Sequence, residues 1–283
     1  MKKYAFFFIT IVLTAWFALG CAQVNSIEIS SAPQPFIELP ILMYHRVFDG
    51  GKESRYIITP QQLEDDLIAL KEAGYSAVLP SEVFAFVEGK GKLPSRPILL
   101  SFDDGHYNNL LYALPLFQKY GFKGVVNVIG KFCDYASKSG DNGKPQSSFL
   151  TWDEVAKLKK SGLFEIGSHT YNMHEYKPRF GIRRLEDETD EEYKRALTND
   201  DMRIKTALKE KAGIETNIFA YPFGAYYKDS RELISGLGYK MIFTCNEKIN
   251  HIQQGDFESL LALGRINREG NWTSAQMLEA IAK

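Results

Sequence analysis

From Leu39 to the C-terminus, short apolar runs alternate with segments of helical periodicity, and this rhythm constrains the fold more than any other feature. Ile41–Tyr44, Ser76–Leu79, Ile98–Phe102, Gly124–Val128, Phe164–Gly167, Ile218–Tyr221 and Met241–Thr244 read as buried strands, each short, apolar and flanked by turn-forming residues or helical segments. Met241–Thr244 reads as the last of them. Helices fill the gaps. Thr59-Pro60 caps one, with Leu63, Leu67 and Leu70 on one face and Gly74 as its stop. Thr151-x-x-Glu154 is a capping box that opens another running to Gly162. Ala113–Tyr120, Ser230–Leu237 and Ser274–Ala282 complete the helices. About seven strands separated by helices predict a parallel α/β fold, either a barrel or a doubly wound sheet. Residues 176–212 interrupt the rhythm with charge, as in Arg183-Arg184-Leu185-Glu186-Asp187-Glu188. They read as a solvated helix and loop, or as a flap over a site.

Chemistry-bearing groups gather just past the apolar strands, where active groups sit in both architectures. Ser101-Phe102-Asp103-Asp104-Gly105 places two adjacent carboxylates at a strand end. Adjacent carboxylates repel unless a cation or a shared proton relieves them. Neighbours on extended backbone point different ways, so one can hold a metal while the other handles protons. His169 and His174 follow a later strand in Ser168-His169-Thr170-Tyr171-Asn172-Met173-His174. Their spacing of five does not share a helix face, so they must converge through a loop. A carboxylate and two imidazoles suit a catalytic zinc or similar ion. Tyr221-Pro222-Phe223-Gly224 forms a tight turn after another strand, with an amide able to face a reacting oxygen. Together these groups suggest a metal-assisted hydrolase.

The N-terminus is organised differently. Met1-Lys2-Lys3 is a basic start, Tyr4–Leu19 an apolar run, and Gly20-Cys21 a small residue followed by cysteine. This has the layout of a bacterial export signal. Ala18-Leu19-Gly20-Cys21 resembles a lipobox, which implies lipidation of Cys21, with a soluble secreted form or an uncleaved anchor as alternatives. All three place the rest of the chain outside the cytoplasm. Residues 1–21 are thus the signal peptide and residues 22–37, polar or small with Pro33 and Pro35, a tether. A formal net charge of −1 argues against a general nucleic-acid binder. Cys133 and Cys245 read as buried thiols, a single bridge being the alternative.

In chain order these motifs resemble those of the polysaccharide deacetylase family, the NodB-like carbohydrate esterases, over roughly residues 39–270. The family's first motif, Thr/Ser-Phe-Asp-Asp-Gly, is complete at Ser101–Gly105. By that resemblance Asp103 is the catalytic base and Asp104 a metal ligand. The usual His-Ser/Thr-x-x-His is one residue longer here, a variant similar to the branch acting on poly-N-acetylglucosamine, and it implies that His169 and His174 are ligands. The third motif is met by Tyr221, Pro222 and Phe223, whose backbone amide would face the oxyanion. The motif's arginine position holds Ala220, and Arg265 is the candidate replacement. The late Leu-x-His that supplies the general acid is absent, and His45 in Met43-Tyr44-His45 is the candidate for that role. His106 sits beside the Asp pair and could shape the site; His251 reads as an exposed loop residue. The resemblance implies a distorted (β/α) barrel of about seven parallel strands in a single domain, residues 38–283. It also implies a divalent metal, Zn²⁺ first, and a reaction that removes acetyl groups from an extracellular polymer. Poly-β-1,6-N-acetylglucosamine leads the substrates, then peptidoglycan, then chitin oligomers or acetylated xylan. Partners would be that glycan and, through Cys21, the membrane. Rival classes are a glycan-binding lipoprotein with a degenerate site, and a glycoside hydrolase using Asp103 with a distant carboxylate.

Overall fold

A computed structural model describes residues 36–49, 54–140 and 143–282. The expected signal peptide, Cys21 and nearly all of the 22–37 tether lie outside the described residues. Eight strands form one parallel sheet: β1 (Ile41–Tyr44), β2 (Ser76–Ala77), β3 (Pro97–Phe102), β4 (Gly124–Val128), β5 (Phe164–Ser168), β6 (Ile218–Ala220), β7 (Met241–Phe243) and β8 (Ile266–Asn267). Seven of them run in the order β7-β6-β5-β4-β3-β1-β8, and β2 pairs with the start of β3. The sheet curls into a distorted (β/α) barrel. The chain entering β8 closes it, because Leu263 bridges Phe243 and Thr244 N–H donates to Leu263 O at 2.8 Å. Closure leaves few open strand edges.

Side-chain alternation along the strands separates two packing layers. The outward set, including Leu42, Ile98, Leu100, Phe102, Val126 and Ile166, packs beneath helices. These helices include α1 (Pro60–Glu72), α5 (Trp152–Lys160), α6 (Asp190–Ala212) and α8 (Ser274–Ile281); α2 (Pro80–Val87), α3 (Leu114–Tyr120), α4 (Gly130–Ser139) and α7 (Ser230–Gly236) complete the set. Four of them start with a threonine capping box, at Thr59, Thr151, Thr189 and Thr273. The inward set fills the barrel: Ile41, Leu99, Val125, Ile218, Met241 and Phe243 form an apolar floor. Further along three of these strands the same face turns polar, at His45 beyond Met43, at Ser101 and then Asp103, and at Asn127. The site therefore sits over a dry floor at the C-terminal ends of the strands.

Several expectations change. Two strands follow Met241–Phe243: Asn250–Ile252, which pairs antiparallel with Ile37–Leu39 and carries the exposed His251, and β8. The 176–212 segment forms the expected loop and helix, but α6 is not solvated all round. Its Tyr193, Leu197, Ile204, Ala207 and Leu208 are buried, Ile204 and Leu208 in the main core, so one apolar stripe runs through the charge. Both α2 and α4 escape the sequence reading. A buried ion pair ties the last strand to α1: Arg268 Nε and Nη2 donate to Asp66 at 2.7 and 3.0 Å, and Tyr44 and Ser274 hydroxyls donate to the same carboxylate. Among the described residues no helix is long and apolar enough to cross a membrane. Cys133 is buried in α4 and Cys245 is half-buried, and both are free thiols.

Candidate active site

Strand β3 delivers Asp103, whose N–H donates to Tyr44 O at 2.9 Å, extending the ladder by one residue. The inward register sends its carboxylate into the barrel mouth. Arg265, wholly buried just before β8, reaches up the interior and grips both oxygens, Nη1 to Oδ1 and Nη2 to Oδ2, each at 2.7 Å. Its Nε donates to Thr244 O at 3.0 Å. Asn127 of β4 donates a third bond to Asp103 Oδ1 at 2.8 Å. Gly167 of β5 makes room for that amide, since a Cβ there would stand 2.1 Å from Asn127 Oδ1. Burial alone would push the Asp103 carboxyl up. The Arg265 charge and hydrogen bonds, with His169 nearby, override burial and hold it well below the usual carboxylate range.

Asp104 would point away from Asp103 on extended backbone. Instead it adopts left-handed φ of 71°, which ends the strand and lets both carboxylates face one cavity. Its Oδ2 lies 3.3 Å from His106 Nε2. Its Oδ1 lies 3.2 Å from His174 Nε2 and 3.6 Å from His169 Nε2, yet makes no hydrogen bond although buried. One donor atom from each of the three residues fits within a 4.8 Å cluster. His169 Nδ1 contacts Ala220 O at 2.8 Å. A carbonyl only accepts, so Nδ1 carries the proton and Nε2 keeps its lone pair. Burial lowers the His169 pKa to about 4, so the ring is neutral at neutral pH. A carboxylate oxygen and two ring nitrogens thus converge, that oxygen unbonded and at least one nitrogen unprotonated. This donor set fits a divalent cation with positions left open for water and substrate.

The loop between the histidines is held from outside the motif. Thr170 takes φ of 71°. Asp200 of α6, largely buried, accepts the Tyr171 and Asn172 N–H groups at 2.7 and 2.8 Å. Tyr171 anchors further, its hydroxyl donating to Asp134 at 2.8 Å. Two successive amides on one carboxylate set the course of the chain toward His174.

His45 follows β1 at the same rim, its Nδ1 buried without a partner and its ring edge against Tyr56 at 4.7 Å. Burial lowers its pKa, against the pull of Asp104 and Asp103. After β6, Tyr221 leads into the Pro222–Gly224 turn, where Phe223 has φ of 58°. Gly224 is required there, since a Cβ would stand 2.7 Å from Cys245 Cβ. A cavity of about 510 Å³ brings His45, Asp103, Asp104, His169, His174 and Phe223 together. Arg265 supports it from below, while the buried Tyr221 and Pro222 shape the turn and do not line the cavity.

The sequence reading missed Asn127 and Asp200. A lone amide inside the apolar run Gly124–Val128 was a usable signal for the first. Nothing local marks Asp200 among the many charges of its helix.

A family model described as polysaccharide deacetylase matches residues 90–242. The poly-beta-1,6-N-acetyl-D-glucosamine N-deacetylase of Escherichia coli (strain K12) is 24% identical over 252 residues, covering 81% of this chain and 37% of that protein. The chain therefore spans little more than a third of that relative. The protein of the same name from Staphylococcus aureus (strain MRSA252) is 24% identical over 220 residues, covering 73% of this chain and 72% of its own. The solved de-N-acetylase from Aggregatibacter actinomycetemcomitans shares the fold, with a TM-score of 0.72 at 24% identity over 86% of this chain and 99% of its own. With more than half of its length matched by the family model, the chain belongs to the polysaccharide deacetylase family.

Proposed function

We propose that this protein is a metal-dependent N-deacetylase acting on an extracellular N-acetylglucosamine polymer. Poly-β-1,6-N-acetylglucosamine is the leading substrate, a choice supported by the names of its relatives in Escherichia coli and Staphylococcus aureus. Asp104, His169 and His174 hold the ion, Zn²⁺ by donor type, which when bound lowers the pKa of a water toward neutrality and polarises the acetamide oxygen. The observation that carries the reading is the unbonded Asp104 Oδ1 facing two imidazoles, beside a second carboxylate kept ionised by Arg265.

Asp103 is the general base: charged, fixed by three hydrogen bonds and next to the triad, it takes a proton from the attacking water. The Phe223 N–H faces the oxyanion of the tetrahedral carbon. His45, whose Nδ1 is unpartnered and which lines the same cavity, passes a proton to the leaving amine, and acetate and a free glucosamine unit result. Arg265 takes the place of the arginine missing at Ala220, which removes the main support for a degenerate, binding-only protein. Export and lipidation at Cys21 would hold the enzyme at the cell surface, where the polymer is.

Acetate release from defined N-acetylglucosamine oligomers, with chelator and metal add-back, tests this reading. Asp103→Asn is expected to bind metal normally and lose about 10²–10⁴-fold in turnover. Full activity in that variant, or in the chelated protein, would refute the assignment.

A further inference from the structure

Beyond the reacting centre, the cavity wall on the His174 side is aromatic. The Phe223 ring stands 4.1 Å from His174, Tyr176 is stacked on Phe223 at 4.6 Å, and Phe180 lies parallel to Phe223 at 5.0 Å with an interplanar angle of 6°. Tyr176 is 72% exposed. The segment carrying Tyr176 and Phe180 is braced rather than loose. Arg179 grips Glu188 with both Nη atoms at 2.8 and 2.5 Å, Lys131 pairs with Glu175 at 2.8 Å, and Gly181 N–H donates to Glu175 O at 3.1 Å. The rings are therefore set before anything arrives, which lowers the ordering entropy lost on binding. Arg46, Arg55 and Glu247 also line the cavity, so charged groups stand in it beside the rings.

We infer that Tyr176, Phe180 and Phe223 form a stacking subsite for a second sugar ring, next to the unit placed at the Asp104–His169–His174 triad. A β-linked glucosamine ring carries its substituents around its edge and presents C–H groups on its faces. Such a face is apolar and matches an aromatic surface, while its hydroxyls stay in water. Because Phe223 touches both His174 and the outer rings, the shelf is continuous with the reacting centre. This inference rests on the deacetylase reading for the identity of the polymer. It adds which residues would hold the ring next to the one being deacetylated.

The test is calorimetric titration of the zinc-loaded protein with β-1,6-linked N-acetylglucosamine monomer and pentamer, with acetate release read on the same samples. In Tyr176→Ala the ratio of pentamer to monomer affinity is expected to fall about tenfold, and Tyr176→Phe should restore it. An unchanged ratio, an equal weakening of both ligands, failure of the parent protein to bind the pentamer, or no rescue by phenylalanine would overturn the shelf. Pentamer bound through Tyr176 but never deacetylated would end the deacetylase reading and leave the shelf standing. Acetate release indifferent to Tyr176 would do the reverse.

Discussion

Arg265→Ala isolates the contact on which the proposed base depends. Both guanidinium nitrogens lie 2.7 Å from opposite Asp103 oxygens, and the two side chains are 0% and 2% exposed. Removing one member of such a buried pair costs about 3–5 kcal/mol, because the other charge is left behind. Only Asn127 would still bond the carboxylate. At about 1.36 kcal/mol per pKa unit, that loss carries the Asp103 carboxyl up by roughly two to four units if all of it appears in protonation. The sign of the stability effect follows from linkage. In the parent, Arg265 outweighs burial and depresses the pKa. The favourable contribution is then present above the unfolded carboxyl value of about 4 and is lost only as pH falls through the lower folded value. In the variant, burial is opposed only by the Asn127 bond and the nearby imidazoles, and the pKa is raised. The penalty is then full at high pH and relaxes as pH falls toward about 4. Two measurements check this: the acid limb of the kcat/KM profile should move upward, and the stability deficit by urea unfolding should shrink between about pH 8 and pH 4. Coincident acid limbs, or a deficit constant across that range, would refute the argument.

Asp200→Ala removes the acceptor of two loop amides, so His174 loses its fixed course; metal affinity by competition with a chromophoric chelator should drop about 10–100-fold. An unchanged affinity would mean that Tyr171 alone holds the loop. Asp66→Ala strands the buried Arg268 and should destabilise the fold by about 3–5 kcal/mol in denaturant titration, with metal affinity intact in the folded fraction. A deficit under about 1 kcal/mol would place that pair among the neutral ones.

The parts of this protein that could be read along the chain are those whose signals are local. Strand length, apolar runs and threonine capping boxes depend on residues a few positions apart, so β1, β3, β4, β5, α1 and α5 were legible. The same holds for Asp103-Asp104 and for His169 and His174, each pair carried by a single strand and the loop after it. Weak local signals failed. The two-residue β8 has no pattern to read, and α6 hid its buried stripe under surface charge. The chain by itself thus determined the alternating α/β class and the chemical types available at the strand ends. What only the folded barrel decided is which distant groups meet them: Arg265 paired with Asp103, Asn127 bonded to the same carboxylate, Asp200 behind the histidine loop. Periodicity records nearest neighbours, whereas these contacts exist because closing the sheet brings together, at one rim, residues as distant as Asp103 and Arg265, 162 positions apart.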